Sequence, residues 1–251
     1  MSGEFPIPET RAAAFFDLDN TLIAGSSLFH LGWGGFKRGL FSPTEAIRFA
    51  MAQFWFRFTG RESAGAPKTW GGFTAAFAKG ARVDDLVAIG REIVIESILP
   101  ALRGGVLKMA HRHLAAGDEV WIVTASPVEL SQMLAADLGF TGGLGTRAEV
   151  RDGRYTGNLP SGILHGSRKA DAIRDLARER HIDLARSSAY SDSINDLPML
   201  LAVGFPQAVT PDKDLARAAR ERGWPVHKRV ALRSAHVGSL SKIARQPSHS
   251  N

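Results

Sequence analysis

Apolar runs that end abruptly at a polar residue set the rhythm of this chain. Ser188-Ala189-Tyr190-Ser191 reads as a short strand ending at Asp192, while the apolar run Ala12-Ala13-Ala14-Phe15-Phe16 stops at Asp17 and Val120-Trp121-Ile122-Val123 at Thr124. Short continuous runs of this kind, without polar alternation, belong to strands buried on both faces. A further strand is predicted at Phe205 to Val209. Between them the spacing predicts helices over Val106 to Ala116, Glu129 to Leu138, Lys169 to Arg180 and Asp212 to Arg222. Ala148-Glu149-Val150 and Arg154-Tyr155-Thr156 flank Asp152-Gly153, a pair favoured in tight hairpins.

Strand and helix therefore alternate, which predicts an α/β fold with a parallel sheet covered by helices. In such sheets ligands bind beyond the carboxyl ends of the strands, so the polar residues that close the apolar runs become the candidates for chemistry. Gly25 to Pro100 differs. Strand signals are few there, and Ala, Phe, Trp and Leu are interrupted by Gly-rich turns, which reads as a helical insert. The expected division is an α/β core from residues 1–24 and 101–232, an insert over 25–100, and a loose tail over 233–251, rich in Ser, Arg and His.

Composition narrows the class. Apolar residues make up 44% of the 251 and charged residues 22%, ordinary globular usage that excludes disordered, collagen-like and membrane-spanning chains. The 31 Lys and Arg outnumber the 25 Asp and Glu, a balance of +6 that favours encounter with anionic ligands. The basic groups at Arg174 to Arg180 and Arg217 to Arg222 recur at helical spacing and read as solvated faces, so no nucleic-acid partner is expected. Without cysteine there is no disulfide, thiolate metal site or thiol nucleophile. No leader-like segment and no apolar stretch of membrane-spanning length is read, so a cytoplasmic protein without stable membrane insertion is expected. Oligomeric state is not legible.

Four polar segments carry the chemistry. Asp17 and Asp19 sit two positions apart where a buried strand leaves the sheet, either as one acidic site or as a polar strand cap with Asn20 in a turn. Thr124 closes the second strand, either at a ligand or in a structural turn, with Ser126 just beyond it. Lys169 begins a helix beside Arg168. Asp192 and Asp196 lie four apart after the Ser188 to Ser191 strand, as a second acidic site or as a helix cap with an acidic first turn.

Taken in order, Asp17-x-Asp19-x-Thr21, Thr124, Lys169 and Asp192 to Asp196 resemble the four motifs of the haloacid dehalogenase superfamily, in its phosphoserine-phosphatase-like branch. The resemblance implies a Rossmann-like parallel sheet with a helical cap inserted after the first strand. It also implies a Mg²⁺-dependent phosphomonoesterase acting on a small phosphorylated substrate. On that pattern Asp17 is the nucleophile and Asp19 the general acid and base. Thr21, Thr124, Ser126, Lys169 and Asn195 meet phosphate or substrate; Asp17, Asp192 and the Asp19 backbone carbonyl hold the metal; and Asp196 supports Lys169 or the metal. The same scaffold also serves phosphotransferases and non-catalytic phosphate-binding proteins.

One departure bears on substrate. Phosphoserine phosphatases carry a glutamate five positions after the motif threonine, and here that position is Ser26. Phosphoserine is therefore disfavoured, with histidinol phosphate, sugar phosphates and lysolipid phosphates open. The aromatic run Phe49 to Phe58 reads chiefly as the core of the insert, with a hydrophobic substrate pocket and peripheral membrane contact as alternatives.

Overall fold

In a computed structural model the described residues are 11–40 and 78–228. The aromatic run 49–58 and the tail 233–251 lie outside them. A six-stranded sheet forms the centre, in the order β3-β2-β1-β6-β7-β8, with every neighbouring pair parallel. β1 spans Ala13–Asp17, β2 Glu119–Pro127, β3 Gly142–Thr146, β6 Ser188–Ser191, β7 Phe205–Val209 and β8 Val226–His227. A separate antiparallel hairpin pairs β4, Val150–Arg151, with β5, Arg154–Tyr155, across Asp152-Gly153 as the sequence predicts.

Central position explains why β1 reads as a continuous apolar run: all five of its residues are buried. Side chains alternate across the sheet. Ala14, Phe16, Val120, Ile122 and Tyr190 enter one core, and Ala13, Phe15, Trp121, Val123 and Ala189 the other. Helices α3, Gly104–Ala115, and α4, Val128–Leu138, close the first core through Val106, Ala110, Leu130 and Leu134. Helices α5, Ser167–Arg180, α6, Leu197–Leu200, and α7, Lys213–Arg222, close the second through Ile173, Leu176, Met199 and Leu215. Phe15 and Phe16, fully buried on opposite faces, each contribute on the order of 2 kcal/mol from apolar burial.

The described parts of the 25–100 segment are helical, as expected from its composition. α1 covers Ser27–Lys37 and α2 covers Val83–Ile93, the latter continuing through wider and tighter turns to Ala101. The hairpin is tied to the approach to α2: Gly80 N–H donates to the Tyr155 carbonyl, Tyr155 N–H to Ala81, and Val83 N–H to Gly153. Helix boundaries shift by a residue or two from the expected ones. Asp212, for example, caps α7 by accepting from Leu215 N–H at 2.7 Å rather than opening its first turn.

Two strands escape the pattern. β3 is Gly-Gly-Leu-Gly-Thr, in which three glycines leave Thr146 as the one β-branched residue and no aromatic to mark a strand. Its glycines answer to close approach. A Cβ on Gly142 would lie 2.4 Å from the Trp121 ring, and one on Gly143 2.4 Å from the Ser131 backbone. β8 is a two-residue edge strand, too short for periodicity to show. β2 also runs on past the expected stop at Thr124 to Pro127.

Candidate active site

The carboxyl ends of β1 and β6 lie side by side, with Phe16 in register with Tyr190, so the acidic residues that follow each strand emerge together. Asp17 is the last residue of β1 and is 6% exposed. Beyond it the chain makes one wide turn, closed by Ile23 N–H on the Leu18 carbonyl at 3.0 Å. Asn20 takes a left-handed conformation in that turn (φ 56°), which asparagine tolerates better than most residues. Its N–H donates to the Gly25 carbonyl, and its side-chain oxygen accepts from Gly25 N–H at 3.2 Å.

This turn carries Asp19 to the start of α1. There the carboxylate accepts from Ser27 N–H at 2.8 Å and from the Ser26 hydroxyl at 3.4 Å. A carboxylate at a helix N-terminus is favoured by the free N–H groups and the dipole. Ser26 itself caps α1 through Phe29 N–H.

Lys169, at the start of α5, is only 4% exposed. Its ammonium donates to Asp17 at 2.5 Å and to Asp196 at 2.9 Å, and Asp196 also accepts from the Ser191 hydroxyl at 2.7 Å. Arg168, the adjacent competitor, stays exposed, and among the described residues its guanidinium reaches the Ile163 carbonyl. The choice between the two cations is thus made by which side of α5 faces the strand ends.

The structure brings Asp17, Asp19, Asp192, Asp196, Lys169 and Thr21 into one connected cluster. Thr21, expected at the substrate, is fully buried, and its hydroxyl donates to Asp192 at 3.2 Å. Thr124 is buried and accepts from Ser126 N–H at 3.1 Å, which leaves its hydroxyl proton available. Ser126, expected at phosphate, shares a 2.6 Å hydrogen bond with the Ser27 hydroxyl. Asn195 lies exposed outside the buried cluster. Sequence reasoning missed Ser27 and Ser191. The available signals were the Ser26-Ser27 pair directly before an apolar helical segment, and a serine directly preceding Asp192.

Electrostatics sharpen the picture. Burial raises the pKa of Asp17 well above the carboxylate range; Lys169 opposes this, and Asp196, Asp192 and Asp19 add to it. Burial and then Asp196 push Asp192 up to about 7, against the Thr21 hydrogen bond. Burial raises Asp19 too, with the bonds from Ser27 opposing. For Lys169 burial works against the charged form, but Asp17 and Asp196 outweigh it and hold the ammonium above the ordinary lysine value. Four carboxylates face one ammonium, an excess of negative charge in a low-dielectric site.

That excess is what a hard divalent cation offsets. Among the described residues no three Asp, Glu or His side chains gather into a metal cage. Asp17 and Asp192, on adjacent strand ends, supply two carboxylates, and backbone carbonyl and water oxygens would complete a shell of the kind small divalent cations keep. The donor set therefore fits the metal.

A fold with acidic residues at the ends of two central parallel strands, braced by a buried lysine, defines a class. The pattern of the haloacid dehalogenase-like hydrolases matches residues 14–201, and the chain belongs to that family. Within it the chain falls in the phosphoserine-phosphatase-like branch and is a phosphatase. It is 43% identical over 240 residues to the phosphoserine phosphatase SerB1 of Mycobacterium tuberculosis, covering 95% of this chain and 78% of that protein. It is 31% identical over 219 residues to the histidinol-phosphatase of Neisseria meningitidis, covering 85% and 96%. Among solved structures, a protein of unknown function from Bordetella pertussis Tohama I superposes with a TM-score of 0.77 at 29% identity, covering 87% of this chain and 99% of that one. Among the described residues no helix is long and apolar enough to cross a membrane.

Proposed function

We propose that this phosphatase hydrolyses a small phosphate monoester in two steps through a phosphoryl group carried on Asp17. The observation that carries the reading is the buried contact of Asp17 with Lys169, itself braced by Asp196, at the mouth of the central strands. A carboxylate so placed is fixed for in-line attack while its ammonium neighbour neutralises phosphate oxygens.

In the first step an Asp17 oxygen forms a bond to phosphorus as the ester P–O bond breaks, and the leaving alkoxide takes a proton from Asp19. Burial favours the protonated form of Asp19, which suits a general acid. In the second step Asp19 takes a proton from water. The oxygen of that water attacks phosphorus and releases inorganic phosphate, restoring Asp17. Thr124 donates its free hydroxyl proton to a phosphate oxygen, and Asn195 meets substrate from the rim. Ser126 and Thr21 act one step back, through Ser27 and Asp192. A Mg²⁺ held by Asp17, Asp192 and the Asp19 carbonyl would supply charge neutralisation on the phosphoryl group.

In this reading residues 25–100 form a helical cap over a core built from 1–24 and 101–232, and the enzyme works in the cytoplasm. Ser26 bears on substrate. Its hydroxyl is used on Asp19 and on Phe29 N–H, so the position offers no carboxylate to a substrate ammonium. A monoester other than phosphoserine is therefore favoured.

The test is phosphate release from a panel of monoesters, including phosphoserine and histidinol phosphate, with Mg²⁺ or EDTA, for the native chain and Asp17→Asn. Mg²⁺-dependent release that the substitution abolishes, with acid-quenched phosphate trapped on Asp17, is expected. Turnover surviving in Asp17→Asn would sink the mechanism.

A further inference from the structure

A groove of about 460 Å³ runs between α3 and the edge strand β8, within the size range of small-molecule sites. On this face of the sheet, among the described residues, α3 and α4 pack over β1, β2 and β3, and the sheet continues beyond them to β7 and β8. Met109 and Val226 line it with apolar surface, and Lys108, Arg112, His227 and Lys228 with polar groups; none of the lining residues is acidic.

Three cations without a counter-charge among the described residues line this one groove. Elsewhere Arg91 lies on Asp137, Arg174 on Asp171, Arg180 on Glu119 and Arg217 on Asp214. Lys108, Arg112 and Lys228 pair with no carboxylate among the described residues. Lys108 and Arg112 stand one turn apart on α3, a like-charge spacing that repels. Lys228 approaches from the opposite wall. The His227 imidazole is bonded through Nε2 to Gln207 at 2.9 Å, and burial lowers its pKa, so it adds a polar ring rather than a fourth charge.

We propose that this groove is a second, non-catalytic anion site for a small molecule bearing two or more negative charges on phosphate or carboxylate groups. Cations on both walls favour a ligand with separated charges over a single monoanion, because each wall is then neutralised. The apolar strip from Met109 and Val226 accepts the body of such a ligand. None of these residues belongs to the carboxylate cluster, so the inference stands independently of the catalytic reading.

The test is calorimetric titration of the full chain in EDTA with inorganic pyrophosphate and, separately, with citrate, which has no phosphorus to recruit the catalytic residues. Saturable binding at one site is expected with at least one probe, and the responding probe identifies the favoured anionic group. The double substitution Lys108→Gln, Arg112→Gln should weaken it by about tenfold or more, as loss of two charge-assisted contacts implies, with kcat/KM for a model ester unchanged. Backbone amide shifts at Gly105 and His227 in the native chain, upon titration, give a second reading that needs no variant. Heat that rises without saturation for both probes, or affinity untouched by the double substitution, overturns the proposal.

Discussion

Asp192 and Asp196 leave the same strand four residues apart, yet they meet opposite surroundings. Asp196 is 4% exposed, and its Oδ2 accepts from both Lys169 at 2.9 Å and Ser191 at 2.7 Å. Asp192 is more open, accepts one side-chain hydrogen bond, the 3.2 Å contact from Thr21, and its pKa is pushed up to about 7. On the proposed mechanism the difference separates the carboxylate that braces Lys169 from the one that would hold the metal. A buried acid that already accepts from an ammonium and a hydroxyl is a brace. One whose ionisation is left costly by its neighbours is poised for a cation.

The substitution that should break this contrast most sharply is Asp192→Asn. On the reading above it removes a metal ligand, and turnover should fall by about 10³-fold, the scale of losing a preorganised electrostatic contact, as steady-state kinetics with Mg²⁺ will register. Stability should move the other way. The folded pKa of Asp192 is raised above its unfolded value. The neutral form therefore stabilises the fold fully below the unfolded pKa near 4, and that contribution is lost as pH climbs through about 7. Without metal, Asp192→Asn should raise Tm at pH 8 by roughly 2–4 °C and leave it nearly unchanged at pH 4. A lower Tm at pH 8 would contradict the assignment of Asp192 as the unsatisfied acid.

Asp196→Asn tests the other member. It keeps the shape and removes a counter-charge from Lys169, so kcat should fall by about 10–100-fold, the usual cost of loosening a supporting group, with KM less affected. If kcat held and KM alone rose, Asp196 would be touching substrate rather than bracing the lysine. Thr21→Val joins the two. It strips the hydrogen bond that opposes the rise in the Asp192 pKa, so turnover should drop by about 3–10-fold and the acid limb of the pH profile should move to higher pH. An unshifted limb would separate Thr21 from Asp192.

The smallest functional effect is expected at Ser27→Ala. Its backbone N–H still serves Asp19, but the buried Ser126 hydroxyl loses its 2.6 Å partner, costing about 1–2 kcal/mol of stability as read by denaturant unfolding. Turnover reduced as far as in Asp196→Asn would show that the Ser27–Ser126 pair organises the chemistry itself.

Much of the sheet was visible in sequence because its central strands are buried on both faces, so that β1 and Val120 to Val123 of β2 appear as uninterrupted apolar runs. β3 was invisible for the opposite reason. Its glycines exist to let Trp121 and the Ser131 backbone approach, a demand that arises only once α4 and β2 are folded beside it. The acidic strand ends were legible because a charge stopping an apolar run is a local event. The hydrogen-bond partners of Thr21 and Ser126 were not, since Asp192 and Ser27 lie 171 and 99 residues away.

The sequence by itself determined the alternation of strand and helix, the family, and the acids Asp17, Asp19, Asp192 and Asp196 together with the candidate cation at the start of α5. Only the tertiary structure decided that Lys169 rather than Arg168 enters the site, that Asp196 is braced while Asp192 stays open, and that Thr21 serves a carboxylate. The physical reason is that periodicity records burial along one segment. Which donor reaches which acceptor depends on strands β1 and β6 lying in register, a contact between residues such as Lys169 and Asp17, 152 positions apart.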